Sequence, residues 1–477
     1  MYSSLILLPF LSVIILNLPF RSFMKKAAFW VCLAVLLAQI CFILAPATCI
    51  WANRLDIFGS FLKFNFTVDN LSRIMLFCIS IVLIATLFLE KYIIRDVERV
   101  FNFSNMILLI LAGMDGVVMV RDIFSLYVFL EISAICSYIL IGFNKDIRAF
   151  EAAFKYITIS IVATVLLLAS ISFLLLIAGN TSFSFLSGAL QASPDKLLIA
   201  FAISIFLGAC FIKSGLVPFH GWLPDAYSAA PASVAVLLAG IVTKTVGVYT
   251  LIRITYSVFG LDHAIKSILL LVGALSVVSG AIAALGQSDF KRMLAYSSIS
   301  QVGYIILGLG CGTPLGLAGA VFHLFNHSIF KSLLFLNSAA LELGAGSTDM
   351  DRLSGLAKKM PVTATTSVLA SLSCAGIPPL AGFWSKLIII IALWLSGFRS
   401  YAVIAVLASV LTLAYLLSSQ RRVFFGAQLK EFENIKEAGF GIIFPAIVLA
   451  LIIVVVGLFF PYIISVVILP PGNLMGG

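Results

Sequence analysis

Charge is what this sequence has least of. Asp, Glu, Lys and Arg make up 10% of its 477 residues, where an ordinary soluble domain carries about 25%. So few charges cannot cover a water-facing surface, which excludes a soluble globular protein and a disordered tail. Acidic residues are the scarcer sign, 20 against 30 Lys and Arg, for a net charge of +10. On a chain that is 62% apolar, a basic excess marks cytoplasmic loops rather than a phosphate-binding face. No nucleic-acid partner is expected. The expected solvent is the lipid bilayer.

Cysteine is present but unorganised. The eight cysteines (32, 41, 49, 78, 136, 210, 311 and 374) are scattered, mostly within apolar runs. No CxxC or Cys/His ligand spacing appears, so they read as small core residues, with neither disulfide nor metal. Also missing are a flavin or dinucleotide fingerprint, cluster-binding cysteines and haem ligands. No cofactor is expected, and no redox or hydrolytic active site; any driving reaction belongs to partners. Residues 2–20 lack a basic n-region and a convincing cleavage site, and read as a retained first helix rather than a signal peptide.

What is abundant is long apolar runs. Bounded by charge, Pro or Gly, they give fourteen candidate helices near 2–20, 27–50, 71–90, 102–120, 123–142, 153–178, 199–216, 231–258, 264–285, 295–311, 315–341, 361–396, 400–419 and 441–468. Each is close to or above the ~20 residues that a spanning helix needs. The expected fold is an all-α polytopic membrane protein forming one membrane domain over 1–477. No stretch is polar enough for an extramembrane domain; the longest hydrophilic pieces, 90–101 and 420–440, are loop-sized.

Lys and Arg set the orientation. With flanking turns counted, 18 of the 30 fall after odd-numbered helices and 7 at the other side, leaving five within spans. Both termini are expected outside, in a multi-pass protein of the inner (cytoplasmic) membrane.

Two spans are broken alike. Around helix 7 the chain reads KSGLVPFHGWLP (213–224), and within helix 12 CAGIPPLAGFWSK (374–386). Pro removes a helical donor and Gly loosens the backbone, so the freed carbonyls need protein or water. Two such breaks five helices apart are what repeated halves give: helices 4–8 (102–258) and helices 9–13 (264–419), with helices 1–3 (1–101) and 14 (441–468) outside them. In transporters such breaks carry the ion sites.

A charge at the bilayer centre costs at least ~2.5 kcal/mol, so one retained there is a functional candidate. Glu131 sits mid-helix in LYVFLEISAICSYILIG (126–142). Lys213 ends the first half of broken helix 7, Lys244 lies deep in helix 8, and Lys386 follows the break in helix 12. Helix 11 reads HLFNHSIFKSLLFL (323–336), placing His323, His327 and Lys331 along one face at i, i+4 and i+8. Asp115, in GMDG, is a further candidate. Arg73 reads as an interfacial anchor, and His220 and His263 as loop residues. Lys331 one turn beyond the histidines opposes a metal there. A row of basic groups with one acidic modulator is a poor sugar or peptide site and a good proton relay.

HGWLPDAYSAAPASVAVLLAGIVTKTVGVYTLIR (220–253), SDFKRMLAYSSISQVGYIILG (288–308) and HLFNHSIFKSLLFL resemble the antiporter-like, proton-translocating subunits of complex I, Mrp cation/proton antiporters and membrane-bound (energy-converting) hydrogenases. The likeness runs from about residue 68 to 400. Residues 345–361, LYVFLEIS and the helix 11 lysine look more like the Mrp and hydrogenase branch.

The resemblance implies fourteen helices in two inverted five-helix repeats, termini outside, and other membrane subunits as partners. It also implies a relay: the helix 5 glutamate on Glu131, the helix 7 lysine on Lys213, the bridging lysine on Lys244, the helix 11 group on His323, His327 and Lys331, and the helix 12 lysine on Lys386. Asp115 matches no position of that pattern. The transported ion is H+, with exchange for Na+ left open. The alternative is a self-sufficient secondary transporter of an organic solute.

Overall fold

The computed structural model describes residues 3–18, 21–45, 53–57 and 62–465. All fourteen apolar runs are occupied by helix: α1 (Ser3–Leu16), α2 (Arg21–Leu44), α3 (Asn70–Ile93), α4 (Val97–Met119), α5 (Ile123–Ile141), α6 (Ile147–Ala178), α7 in two halves (α7a, Lys196–Ser214; α7b, Trp222–Ala229), α8 (Ala232–Phe259), α9 (His263–Leu285), α10 (Phe290–Gly310), α11 (Pro314–Ala345), α12 in two halves (α12a, Pro361–Ala375; α12b, Ala381–Leu395), α13 (Arg399–Val423) and α14 (Phe440–Leu458). Among the described residues, eleven helices are long and apolar enough to cross a membrane. The other three positions are α1, with 14 residues, the polar-studded α11, and the broken α12. The expected ends at 2, 19–20, 46–50 and 466–468, and Cys49, lie outside the described residues.

Helix starts follow their caps. Asp69, Asp122, Asp262 and Asp289 each accept the backbone N–H three residues on, at 2.7–2.8 Å; Asp96 caps α4 through Glu98 N–H. A carboxylate there satisfies a donor that the first helical turn leaves orphaned. Capping is why α4 begins at Val97 and α10 at Phe290, each five residues before the apolar run. Between spans lie the antiparallel strands β1 (Asn53–Ile57) and β2 (Leu62–Phe66), with Asn53 opposite Phe66, a helix at Phe183–Ala192 joining α6 to α7a, and single 3-10 turns at Leu356–Lys358 and Lys430–Phe432.

From the caps of α5 and α10 through α6 and α11, the halves repeat at one offset. α6 spans 147–178 and α11 spans 314–345, each ending on a left-handed glycine, Gly179 and Gly346. All three positions differ by 167, as do Asp122 and Asp289, whose side chains accept from Thr181 and Thr348. Backbone bonds repeat too: Ile123 N to Thr181 O, and Phe290 N to Thr348 O. The five helices per half are odd in number, so the second half runs inverted relative to the first.

Each half contains one break. α7a ends at Gly215 (φ 67°) and α12a at Gly376 (φ 88°), a backbone conformation that glycine adopts without a Cβ clash. Side chains close both gaps: Trp222 Nε1 donates to Ile212 O at 3.1 Å, and Gly382 N to Ser373 Oγ at 3.2 Å. α8 lies at the centre and is buried from Ser233 to Thr255, and π-helical turns at 238–242, 244–249 and 255–259 interrupt it, the second beginning at Lys244. Such turns are rare and concentrate at functional sites.

Candidate functional site

The break in α7 presents the first pair. Lys213 Nζ lies 3.1 Å from Glu131 Oε1 of α5. Thr164 Oγ1 of α6 donates to the same oxygen at 2.7 Å, so the carboxylate is held from two helices. Lys213 is buried, and the Glu131 side chain is 21% exposed.

Two glycines bring α8 against both neighbours. A Cβ on Gly247 would meet Ser214 N, beside Lys213, at 2.6 Å, and one on Gly240 would collide with Ser332 Oγ, beside Lys331. Lys244 stands between these contacts, fully buried, donating to Thr243 Oγ1 at 3.1 Å and to Ala239 O. Tyr227 Oη joins Thr243 Oγ1 at 2.8 Å. Ser214 Oγ and Thr245 Oγ1 are buried on this stretch without a partner among the described residues.

On α11 the expected face is realised. The rings of His323 and His327 are parallel within 2°, with centroids 6.4 Å apart. His323 Nδ1 meets Ser385 Oγ at 2.9 Å, which leads directly to Lys386. Lys331 Nζ donates to Leu294 O of α10 at 3.0 Å. Lys386 Nζ sits 3.4 Å from Ala375 O and 4.6 Å from the Tyr304 ring centre. The repeat offset sets Lys331 at the place of Thr164, and Ser298 at the place of Glu131. Each half thus carries a hydroxyl where the other carries its charge.

Lys244, Lys331 and Lys386 bond carbonyls and hydroxyls; the ion pairs among the described residues include none of them. His323 Nε2 and both ring nitrogens of His327 are buried with no protein partner among the described residues. A buried polar atom left unbonded costs about 1–3 kcal/mol, so these atoms point to water or a moving proton. No three His, Cys, Asp or Glu side chains group for a metal among the described residues.

Asp115 stands apart from this row. Its Oδ1 accepts from Gln39 of α2 at 3.0 Å, and none of its hydrogen bonds reaches a relay side chain. The sequence reading missed Thr164, Tyr227, Ser385 and Tyr304, which carry no charge to betray them. It also missed a clamp at the end of α8. Arg253 grips Asp69 at 2.6 and 2.8 Å, and Arg121 reaches the same carboxylate at 3.0 Å. Burial raises the Asp69 carboxyl, but the Arg253 charge and hydrogen bonds, then Arg121 and the Ser72 N–H, outweigh it and hold it well below the usual carboxylate range.

Fold and site together define a class: a multi-pass, antiporter-like membrane subunit with a buried row of basic groups. Residues 120–412 match the family model described as NADH:quinone oxidoreductase/Mrp antiporter, TM. The chain is 33% identical to an Na(+)/H(+) antiporter subunit of Alkalihalophilus pseudofirmus, over 76% of this chain and 73% of that protein. It is 32% identical to the NADH-quinone oxidoreductase subunit N of Parvibaculum lavamentivorans, over 77% of each. A chain of the Mrp complex from a Dietzia species shares the fold at a TM-score of 0.90, with 24% identity and 98% of both chains covered. The chain belongs to the NADH:quinone oxidoreductase/Mrp antiporter family. It is an antiporter-like subunit of the kind found in Mrp, complex I and related membrane complexes. A stand-alone carrier of an organic solute is not favoured.

Proposed function

We propose that this subunit translocates protons, or exchanges them for Na+, through Glu131, Lys213, Lys244, His323, His327, Lys331 and Lys386 within a larger membrane complex. The observation that carries the reading is the Glu131–Lys213 contact of 3.1 Å at the head of three buried lysines outside any ion pair among the described residues. A carboxylate beside an ammonium retains its proton; withdrawing the carboxylate releases the proton to the next base. Lys244, between Gly240 and Gly247, bridges the two halves. The α11 histidines and Lys331 pass the proton at mid-depth, and Lys386 is the exit at the second break. Asp115 is a side group off this route.

The domain division is a first repeat over 102–258, a second over 264–419, and helices 1–3 and 14 at the periphery; the offset of 167 between α6 and α11 supports it. Both termini lie outside a cytoplasmic membrane, with the basic loops inside. The partners are the other membrane subunits, and this chain contributes no cofactor. The test is ion flux by the reconstituted complex: Lys244→Ala should abolish it while the subunits still co-purify. Full flux would refute the relay.

A further inference from the structure

A second set of charges gathers at one end of α8, away from the row above. Glu90, in the last turn of α3, is 3% exposed. Its Oε2 accepts from Ser233 Oγ in the first turn of α8, while Oε1 is buried with no partner among the described residues. Beside the same junction, Lys291 of α10 donates to Ala230 O at 3.3 Å and to Glu342 Oε2 of α11 at 2.9 Å. The four-residue turn 230–233 is therefore held by a carboxylate on one side and an ion pair on the other.

The spacing ties this set to the lysines. Ser233 precedes Lys244 by eleven residues on α8, and Lys331 precedes Glu342 by eleven on α11. At ~1.5 Å per helical residue this is about 16 Å on each helix, half of the ~30 Å hydrocarbon core. That separation sets Lys244 and Lys331 about half a hydrocarbon core away from Glu90 and Glu342. Polar atoms mark the interval. On one side Tyr227 Oη bonds Leu238 O at 3.0 Å and joins Thr243, which meets Lys244; on the other, Asn337 Nδ2 and Ser338 Oγ are buried without partners among the described residues. The ends of α3 and α11 and the starts of α8 and α10 all adjoin loops of the basic-rich set.

A structural strut for Ser233 would use one carboxylate oxygen. Burying the second one unbonded costs about 1–3 kcal/mol; Asp115 Oδ2 bears the same cost, but of the two carboxylates Glu90 is the one beside the basic loops. We infer that Glu90 is the port through which protons pass between the aqueous side of the basic loops and the buried lysines, with the Lys291–Glu342 pair forming its rim. This rests on the relay reading. In the step itself, hydronium on the aqueous side gives a proton to Glu90 Oε1 and leaves water. The new O–H bond then breaks as the proton moves over water, Tyr227 and Thr243 to the free amine of Lys244. The carboxylate is restored, Lys244 becomes the ammonium, and no electron changes hands.

The test uses the whole complex in liposomes carrying an internal pH dye, with Glu90→Gln, Glu90→Asp and Lys244→Ala. Glu90→Gln should cut the initial proton flux roughly tenfold or more with subunit composition unchanged, and Glu90→Asp should restore much of it. The residual flux should change its dependence on pH on the basic-loop side alone, which loss of a strut would not do. If Glu90→Gln transports at the wild-type rate with an unchanged pH profile while Lys244→Ala abolishes flux, the port is overturned and the relay stands. If Lys244→Ala also transports fully, both fall. Should Glu90→Gln not assemble, Ser233→Cys carries the test. A small water-soluble thiol reagent, mapped by peptide mass spectrometry, must reach it from the basic-loop side, and no adduct would overturn the port.

Discussion

Lys386 Nζ and the carbonyl oxygen of Ala375 face each other at 3.4 Å across the break in α12. Ala375 is the last residue of α12a, so the lysine stands at the negative end of a helix dipole, where a cation is favoured. The Tyr304 ring covers its other side at 4.6 Å. An amine held by a carbonyl and a ring, with no carboxylate, is free to change its protonation without breaking an ion pair.

That geometry makes Lys386 a transfer group rather than an anchor. Lys386→Met should stop ion flux in the reconstituted complex without loss of the subunit, since the apolar side chain fills the same volume. Tyr304→Leu removes a cation–π contact of about 0.5–2 kcal/mol and should slow flux several-fold without abolishing it. Full flux in Lys386→Met would remove this residue from the route.

The contact of α8 with its two neighbours depends on the absence of side chains at Gly240 and Gly247. A valine at Gly247 must displace the Ser214 backbone, at a cost of about 1–3 kcal/mol for overpacking. Gly247→Val should lower the midpoint of thermal unfolding in detergent and also reduce flux, because it parts Lys213 from Lys244. By contrast Gly188, whose Cβ would meet nothing within 4 Å, should accept alanine with neither effect.

The Asp69 clamp predicts a pH dependence of stability. The folded-state carboxyl titrates below its unfolded value of about 3.9, so its contribution is fully present above pH ~4 and is lost as pH falls from there toward the folded value. The wild-type unfolding midpoint should stay flat in this respect down to pH ~4 and then drop. Asp69→Asn should start lower, by about 3–5 kcal/mol for an orphaned buried guanidinium, and show a smaller drop. Equal acid sensitivity in the two proteins would contradict the assignment.

Much of this architecture is legible in the sequence. Fourteen apolar runs gave fourteen helical positions, because a bilayer demands long apolar segments whatever the packing. The breaks were legible in SGLVP and GIPP, whose glycines take the left-handed turns at 215 and 376. Less legible were the helix starts, since the capped first turns of α4 and α10 are polar and lie outside the apolar run. The strands 53–57 and 62–66 and the helix 183–192 have too little periodicity to stand out in a loop. Charge within apolar sequence located the lysines and Glu131. It could not reveal that Asp69 meets Arg253 across 184 positions, nor that Ser385 joins His323 to Lys386. Such pairings belong to the tertiary fold alone.

The central claim is that the Glu131–Lys213 pair gates ion movement, and paired flux measurements test it most directly. Lys213→Ala and Glu131→Ala are placed separately in the intact complex, reconstituted in liposomes, and assayed for ion flux alongside subunit composition. The account predicts loss of flux in both variants with assembly preserved. Normal flux in both would contradict it.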